Sequence, residues 1–408
     1  MTTVAIVGAG PYGLAIAAHL RVRGIPYRIF GEPMHMWATQ CPRGMFLKSD
    51  AFAADLYEPT RQFTLERFCR ENQIAYHGSD IPVAVETFVA YGQAFQKACV
   101  PDLTERAVLR VSPAQDGFRL EIEGGENVLA RVVVMATGVC YSFVIPDELN
   151  ALPVDRYSHS SAHCDLTALS GKRVLVVGGG ASATDIAAIL HGLGTPVEIL
   201  SRRPINFHAK ADQVHRSLWD RVTKPNWGLG PNLRNTMYVA FPNLFHLLPQ
   251  RLRLAITRRA LPPAAHYSTR HHVEGKVPLH IGYRIRDARL VEGEVRINCV
   301  NDAGDTVELA ADHVIASTGY RPSIDRLEML DPMLRSRITR EDGSPVLSRN
   351  LESSVPGLYF VGLQSANSFG PVMRFVRGSE WVANHLTGHL AAIHRTASVR
   401  PTTSPTTT

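Results

Sequence analysis

Twice in this chain an apolar strand runs into a glycine turn and then directly into a helix-like segment, and this repeated pattern limits the fold more than any other feature. The first instance reads Thr3-Val-Ala-Ile-Val-Gly8-Ala-Gly10-Pro-Tyr-Gly13, followed by helical spacing from Leu14 to Arg21 and a second strand from Tyr27 to Phe30. A G-x-G-x-x-G string set between strand and helix within one βαβ unit is a phosphate-binding signature. Gly8 permits the tight turn, Gly10 lets backbone approach a pyrophosphate, and Gly13 lets the helix pack close to the strand. The helix N-terminus then faces the phosphates. The second instance reads Lys172-Arg-Val-Leu-Val-Val-Gly178-Gly-Gly180-Ala-Ser182-Ala183, with a following strand from Val197 to Leu200. There Ala183 takes the place of the third glycine and still allows fairly close packing.

The residues after each second strand tell the two sites apart. Glu32 lies 24 residues after Gly8 and is the only acid nearby, so it is expected to bind ribose hydroxyls. The same count from Gly178 lands on Arg202, with Arg203 beside it. An acid repels a 2′-phosphate whereas guanidinium groups bind it bidentately, so the pattern predicts FAD at the first turn and NADPH at the second.

Three more glycine-terminated strands follow: Arg131 to Gly138 with Ala136-Thr137-Gly138, Asp312 to Tyr320 with Ser317-Thr318-Gly319, and Gly357 to Gly362. Each is a short apolar run suited to a sheet buried on both faces, ending where glycine lets backbone approach a ligand. Beyond Ser368-Phe369-Gly370, Pro371 suits a helix start, and such a helix would point its dipole at the pyrimidine edge of a flavin. A nucleotide domain that opens at residue 1, is interrupted near 165 and resumes near 320 implies nesting. The expected fold is therefore α/β, two Rossmann-like dinucleotide-binding domains with the NADPH domain inserted in the FAD domain. Residues 1–165 and 311–395 form the FAD domain, and 166–310 the NADPH domain with a helical, substrate-covering insertion at about 205–280. Residues 396–408, with no large apolar residue from Pro401 on, read as a disordered tail.

Composition narrows the function. A length of 408 residues with 45% apolar and 20% charged residues fits two large domains. No apolar run approaches the roughly 18 to 20 residues needed to span a bilayer, so no stable membrane insertion and a cytoplasmic location are expected. The six cysteines, at 41, 69, 99, 140, 164 and 299, contain no C-x-x-C pair, which argues against a zinc site or a redox dithiol. Net charge is +6, yet residues 201 to 275 hold twelve Lys/Arg against three acids, a local field suited to an anionic ligand or surface. No zinc-finger, basic-zipper or RNA-binding signature points to nucleic acid. The adjacent His271-His272 lack a suitably spaced partner and read as surface residues, so no metal is expected. Residues 244 to 260 place Leu244, Leu247, Leu248, Leu252, Ala255 and Ile256 on one helical face, expected to pack over the active site rather than lie on an anionic membrane. Trp37, Trp219 and Trp227 read as core residues or as pocket lining.

Taken together, these residues resemble the class B flavoprotein monooxygenases: flavin-containing monooxygenases, N-hydroxylases and Baeyer–Villiger enzymes. The resemblance covers roughly residues 3 to 395 and is thin between about 205 and 305. It rests on the two glycine turns, Met36-Trp37, Ala136-Thr137-Gly138, His159-Ser160-Ser161, Arg202-Arg203 and Ser317-Thr318-Gly319-Tyr320. Beside the glycines, it implies cofactor contacts from Trp37, Gly138, Ser182, Ala183, Thr318, Gly319, Gly362, Ser368 and Phe369. Departures are also legible. The family's acid aligns with Gly31, one residue before Glu32. The fingerprint preceding the second turn keeps only His159, with Pro153 and Asp155 at its start and His163 at its end, which weakens a Baeyer–Villiger assignment. Leu47-Lys48-Ser49-Asp50 is similar to a Leu-x-Thr-Asn segment whose Asn lies near the reacting flavin carbon; Asp50 replaces it, as a base toward substrate, unless the alignment slips by one residue. Lys48 or Arg374 would compensate its charge.

The resemblance implies an NADPH- and O₂-dependent FAD monooxygenase that passes one oxygen atom, through a C4a-hydroperoxyflavin, to a small-molecule nucleophile such as amine nitrogen or sulfide sulfur. Homo-oligomerisation is left open. Two alternatives stand beside it: an NADPH-dependent FAD reductase serving a protein partner or quinone, and a flavin redox sensor without turnover.

Overall fold

The computed structural model describes residues 2–78, 82–207, 226–230, 232–260, 265 and 267–399. Val4 to Val7 are all buried because β1 (Thr2–Val7) lies inside a sheet, between β2 (Tyr27–Phe30) and β5 (Asn127–Met135), both parallel to it. Helix α1 (Pro11–Val22) crosses from β1 to β2 and buries Leu14, Ile16 and Leu20 completely. Strand β5 is long enough to serve two partners on one edge. Its first half pairs antiparallel with β4 (Gly117–Ile122), which continues to β3 (Val108–Ala114). Its second half pairs parallel with β16 (Leu358–Phe360), the strand through which the chain returns to the first sheet.

The second sheet is parallel throughout, in the order β6 (Tyr157–His159), β13 (His313–Ala316), β7 (Val174–Val177), β8 (Val197–Ser201), β9 (Leu279–Ile281). Helix α5 (Ala181–Gly192) connects β7 to β8. An antiparallel sheet of β10 (Tyr283–Val291), β11 (Glu294–Asn301) and β12 (Thr306–Ala311) packs over it through Val295, Ile297 and Cys299. The fold is thus two dinucleotide-binding units, the second inserted in the first. Sheet pairing moves two of the expected boundaries. β6 already belongs to the second sheet before residue 165, and β13, expected to return to the first sheet, pairs with β7 in the second. The apolar run and terminal glycine of β13 are the same local pattern as in β5, and such a pattern does not encode which sheet receives the strand.

Between β8 and β9 the described part of the insertion is helical: α6 (Leu233–Ala240), α7 (Pro242–Leu247), α8 (Gln250–Arg259) and α9 (Tyr267–Val273). The single helix expected over 244–260 is broken. Leu248 is extended and Pro249 follows, because the proline ring disfavours helical geometry in the residue before it. Phe245 packs inward on Tyr238, while Leu244 is 54% and Leu247 77% exposed, so only part of the expected apolar face is covered. His271 and His272 are exposed on α9. Trp219 and the tail from residue 400 lie outside the described residues.

The final helix, α12, spans Gly378–Val399 and packs along α1. It begins seven residues after Pro371, where the sequence placed its start, and runs past the expected end of the domain at 395. Pro371–Arg374 form only a 3-10 turn, since Gly370 enters it at φ +97° and Phe375 leaves it extended. Just before, the short helix α11 (Ala366–Phe369) packs against α7 and α8. Among the described residues no helix is long and apolar enough to cross a membrane.

Candidate functional site

The first glycine turn is closed by collisions that only glycine avoids. At Gly8, φ is +113° and a Cβ would strike the carbonyl oxygen of Ala136; at Gly13 it would strike the carbonyl oxygen of Gly8. These two contacts press α1 against the ends of β1 and β5. Gly10, the N-cap of α1, has open space on its Cβ side, with nothing within 4 Å. The first turn of α1 has no side-chain cap and no acid. An uncapped N-terminus at the positive end of a helix, beside a residue with no side chain, has the chemistry that suits a phosphate.

The returning segment wraps this turn through Tyr12, a residue that sequence reasoning passed over inside the glycine string. Its hydroxyl lies within hydrogen-bond distance of the carbonyls of Met373 (3.0 Å) and Phe375 (2.9 Å), which share its one proton, and its ring lies 3.7 Å from where a Cβ of Gly362 would stand. Burial pushes the phenol far above its ordinary pKa, so it stays a donor. Gly138 closes the same end of the first sheet, exposed just after β5. Trp37 packs edge-on against Phe88 at 4.9 Å. Glu32 is exposed directly after β2, and its carboxylate meets His35 Nδ1 at 2.6 Å.

The second turn repeats the device. A Cβ on Gly178 would strike the carbonyl oxygen of Ser317, and one on Gly179 the hydroxyl of Ser201. Gly180 is the N-cap of α5, again without a side-chain cap or an early acid; Ser182 is half-buried in the first turn and Ala183 is fully buried against the sheet. Ser201 Oγ donates to the carbonyl of Arg203 at 2.7 Å and shapes the turn after β8, from which Arg202 and Arg203 stay exposed.

Several expected cofactor residues have other partners. Thr318 Oγ1 donates to the carbonyl of Val144, and Val144 N–H donates to the carbonyl of Gly319 at 3.0 Å, so this pair ties together the two chain segments that join the units. Ser368 accepts from His246 through its carbonyl (3.3 Å), and Phe369 is fully buried, stacked on His246 at 4.7 Å and tilted against Trp381. His159, the fingerprint residue, is buried between Phe143 and Tyr320, and burial pulls its pKa down to about 4.

The expected trio Asp50, Lys48 and Arg374 does not form one cluster. Asp50 Oδ2 accepts from Asn226 Nδ2 at 2.8 Å, joining the helical insertion to the first unit. Lys48 Nζ instead pairs with Asp185 of α5, at 2.6 and 2.7 Å to the two carboxylate oxygens. Arg374 donates to the carbonyls of Thr257 (2.6 Å) and Ala260 (3.1 Å), satisfying the C-terminal end of α8. Neither Lys48 nor Arg374 therefore compensates Asp50 as expected: the buried carboxylate of Asp185 engages the lysine, and main-chain carbonyls at the end of α8 engage the arginine. Among the described residues no three His, Cys, Asp or Glu side chains come together as a metal site. The six cysteines are free.

Two nested parallel-sheet units, each with a glycine turn opening an uncapped helix, define a two-dinucleotide-binding architecture. Residues 5–222, more than half of the chain, match the family model for pyridine nucleotide-disulphide oxidoreductases, and the chain belongs to that family. It is 31% identical over 214 residues to a FAD-dependent urate hydroxylase of Xanthomonas campestris pv. campestris, a match covering 49% of this chain and 45% of that protein. It is 27% identical over 216 residues to a ferredoxin–NADP reductase of Ignicoccus hospitalis, covering 53% of this chain and 61% of that one. The chain thus spans about half the length of the curated relatives it matches. In fold it is similar to the ornithine N-hydroxylase of Kutzneria sp. 744 solved with reduced FAD, NADP+ and L-ornithine, with a TM-score of 0.75 at 16% identity over 97% of this chain and 100% of that one.

Proposed function

We propose that the first unit holds FAD, the second holds NADPH, and the chain places one oxygen atom of O₂ on a small nucleophile, an amine nitrogen or a sulfide sulfur. The observation that carries this reading is the asymmetry of two otherwise equal phosphate seats: Glu32 follows one and the exposed Arg202-Arg203 pair the other. Gly10 and Gly180 bring backbone N–H groups to the two pyrophosphates. Arg202 and Arg203 take the 2′-phosphate, and Tyr12 holds the returning segment against the flavin seat. Flavin, when bound, would accept the hydride of NADPH and activate oxygen; the residues of this chain position and shield it. Identity to a urate hydroxylase and the fold shared with an N-hydroxylase support oxygen transfer. Free cysteines and the use of NADPH favour the cytoplasm.

Identity to a ferredoxin–NADP reductase favours a second reading, in which the electrons leave to an acceptor. One experiment separates the two. The purified protein is reduced with NADPH without air, then mixed with oxygen or with an acceptor such as a quinone or ferredoxin. The oxygenase shows a lag between oxygen consumption and return of oxidised-flavin absorbance, and a nucleophilic substrate that accepts the oxygen shortens it. Immediate reoxidation by oxygen together with rapid turnover of the acceptor would reject the first reading.

A further inference from the structure

The first unit reaches α5, the helix that carries the second phosphate seat, by a single ion pair among the described residues. Its lysine is held firmly on its own side. Leu47 N–H donates to the carbonyl of Val83 (2.8 Å) and Val85 N–H to that of Met45 (2.9 Å), so residues 45–47 are zipped to the chain entering α4 (Val85–Cys99). Lys48 Nζ also donates to the carbonyl of Phe46 at 3.0 Å. Opposite stands Asp185, the fifth residue of α5, 3% exposed. A helix facing its own sheet has no use for a buried carboxylate there, and removal from water penalises the charged form. Burial is the larger effect and holds the Asp185 carboxyl above its ordinary value; the lysine offsets part of that penalty, and the pair forms only where the two units are in register. Nearby, Arg43 N–H donates to the carbonyl of Cys164 (2.8 Å) and Cys164 Sγ to that of Ala38 (3.2 Å), so the seam is fixed beside α5 as well.

We propose that Lys48 and Asp185 are a pair of positioning residues: by locking the start of α5 to the first unit, they set where the nicotinamide of the second nucleotide stands relative to the flavin. The proposal rests on the reading of the two units as FAD and NADPH sites. Neither side chain enters the chemistry. Their effect falls on the rate of hydride transfer and spares nucleotide affinity, which Arg202, Arg203 and the α5 N-terminus supply. Geometry of this kind is sensitive, since displacements near 1 Å cost roughly 100-fold in rate.

The test uses the full-length flavoprotein as wild type, Lys48→Met, Asp185→Asn, the double variant and Lys48→Arg. Flavin reduction is followed at increasing NADPH. We expect each single variant to keep its FAD, to bind NADPH within about threefold of wild type, and to reduce at least tenfold more slowly at saturation. The double variant should be no slower than the worse single, and Lys48→Arg should recover most of the rate. Hydrogen exchange, which needs no turnover, should show loss of protection in residues 43–48 and in the first turns of α5 in Lys48→Met. Unchanged reduction rates or unchanged protection would overturn the proposal, and so would additive effects, since Lys48 would then act without Asp185. Should wild type itself take no hydride from NADPH, the functional reading fails, and the exchange data alone still decide whether the pair locks the seam.

Discussion

At the scale of single residues, the chain separates positions that must be empty from positions that must be charged. Gly10 is of the first kind. Its open flank is where a pyrophosphate must come close to backbone, so Gly10→Val should abolish FAD retention while the variant still folds, because the added side chain points into unoccupied space. Flavin absorbance per chain after gel filtration checks this; full retention would put the flavin elsewhere. Arg202 and Arg203 are of the second kind. Replacing both by alanine should weaken NADPH by about 2 to 4 kcal/mol with little change for NADH, since only the 2′-phosphate loses charge-assisted bonds. Titration of both nucleotides reads it, and equal losses would remove the arginines from phosphate recognition. Asp50 is held by Asn226, which comes from the helical insertion. Asp50→Asn keeps size and removes charge, so we expect NADPH-driven flavin reduction to persist and the ratio of product to leaked hydrogen peroxide to change. An unaltered ratio with substrate present would place Asp50 outside the reaction.

At the scale of elements, the two glycine turns form a natural comparison. In the first, the helix approaches so closely that a methyl at residue 13 would overlap the backbone of residue 8; in the second, Ala183 occupies the equivalent place and is buried without clash. Gly13→Ala should therefore push α1 away from β1 and cost about 3 kcal/mol, whereas Ala183→Gly should cost about 1 kcal/mol, mostly helix propensity. Denaturant titration of the two variants reads the contrast, and equal costs would show that the turns pack alike. Both turns were legible in the sequence because the rule behind them spans a dozen residues. The break at Pro249 was legible too, in the proline itself, and was overridden by the leucine spacing on either side of it. The start of α12 was not, because Pro371 offers a suitable first residue while the conformation of Gly370 and Phe375 is set by contacts with Tyr12 and the insertion. Nor could the sequence pair Lys48 with Asp185: the two lie 137 residues apart, and the partner nearer in sequence was Asp50.

At the scale of the whole molecule, buried histidines bind stability to pH. Burial lowers His159 and His313 to about 4 from an ordinary value near 6.5, and His163, which shares Ser158 Oγ with His313, is lowered as well. Because the unfolded chain takes up these protons first, the stability they confer is complete above about pH 6.5 and is lost as pH falls toward 4. Asp55 opposes this trend. Burial raises it to about 6, so its folded form holds a proton that the unfolded chain releases, and stability falls as pH rises from about 4 to 6. We expect the histidines to dominate, with Tm declining from pH 6.5 to 4 and the decline shallower in His313→Asn. A flat profile in wild type would show that these rings remain solvated.

The long strand β5 has a consequence for the chain while it is being made. Its second half, Val133 to Met135, awaits β16, whose Leu358 to Phe360 lie more than two hundred residues downstream, beyond the whole inserted unit. At about 5 to 20 residues per second, a ribosome needs about 10 to 45 s to deliver that strand. For that interval the nascent first sheet presents an unfinished parallel edge of Val-Val-Met, open to any extended chain that passes.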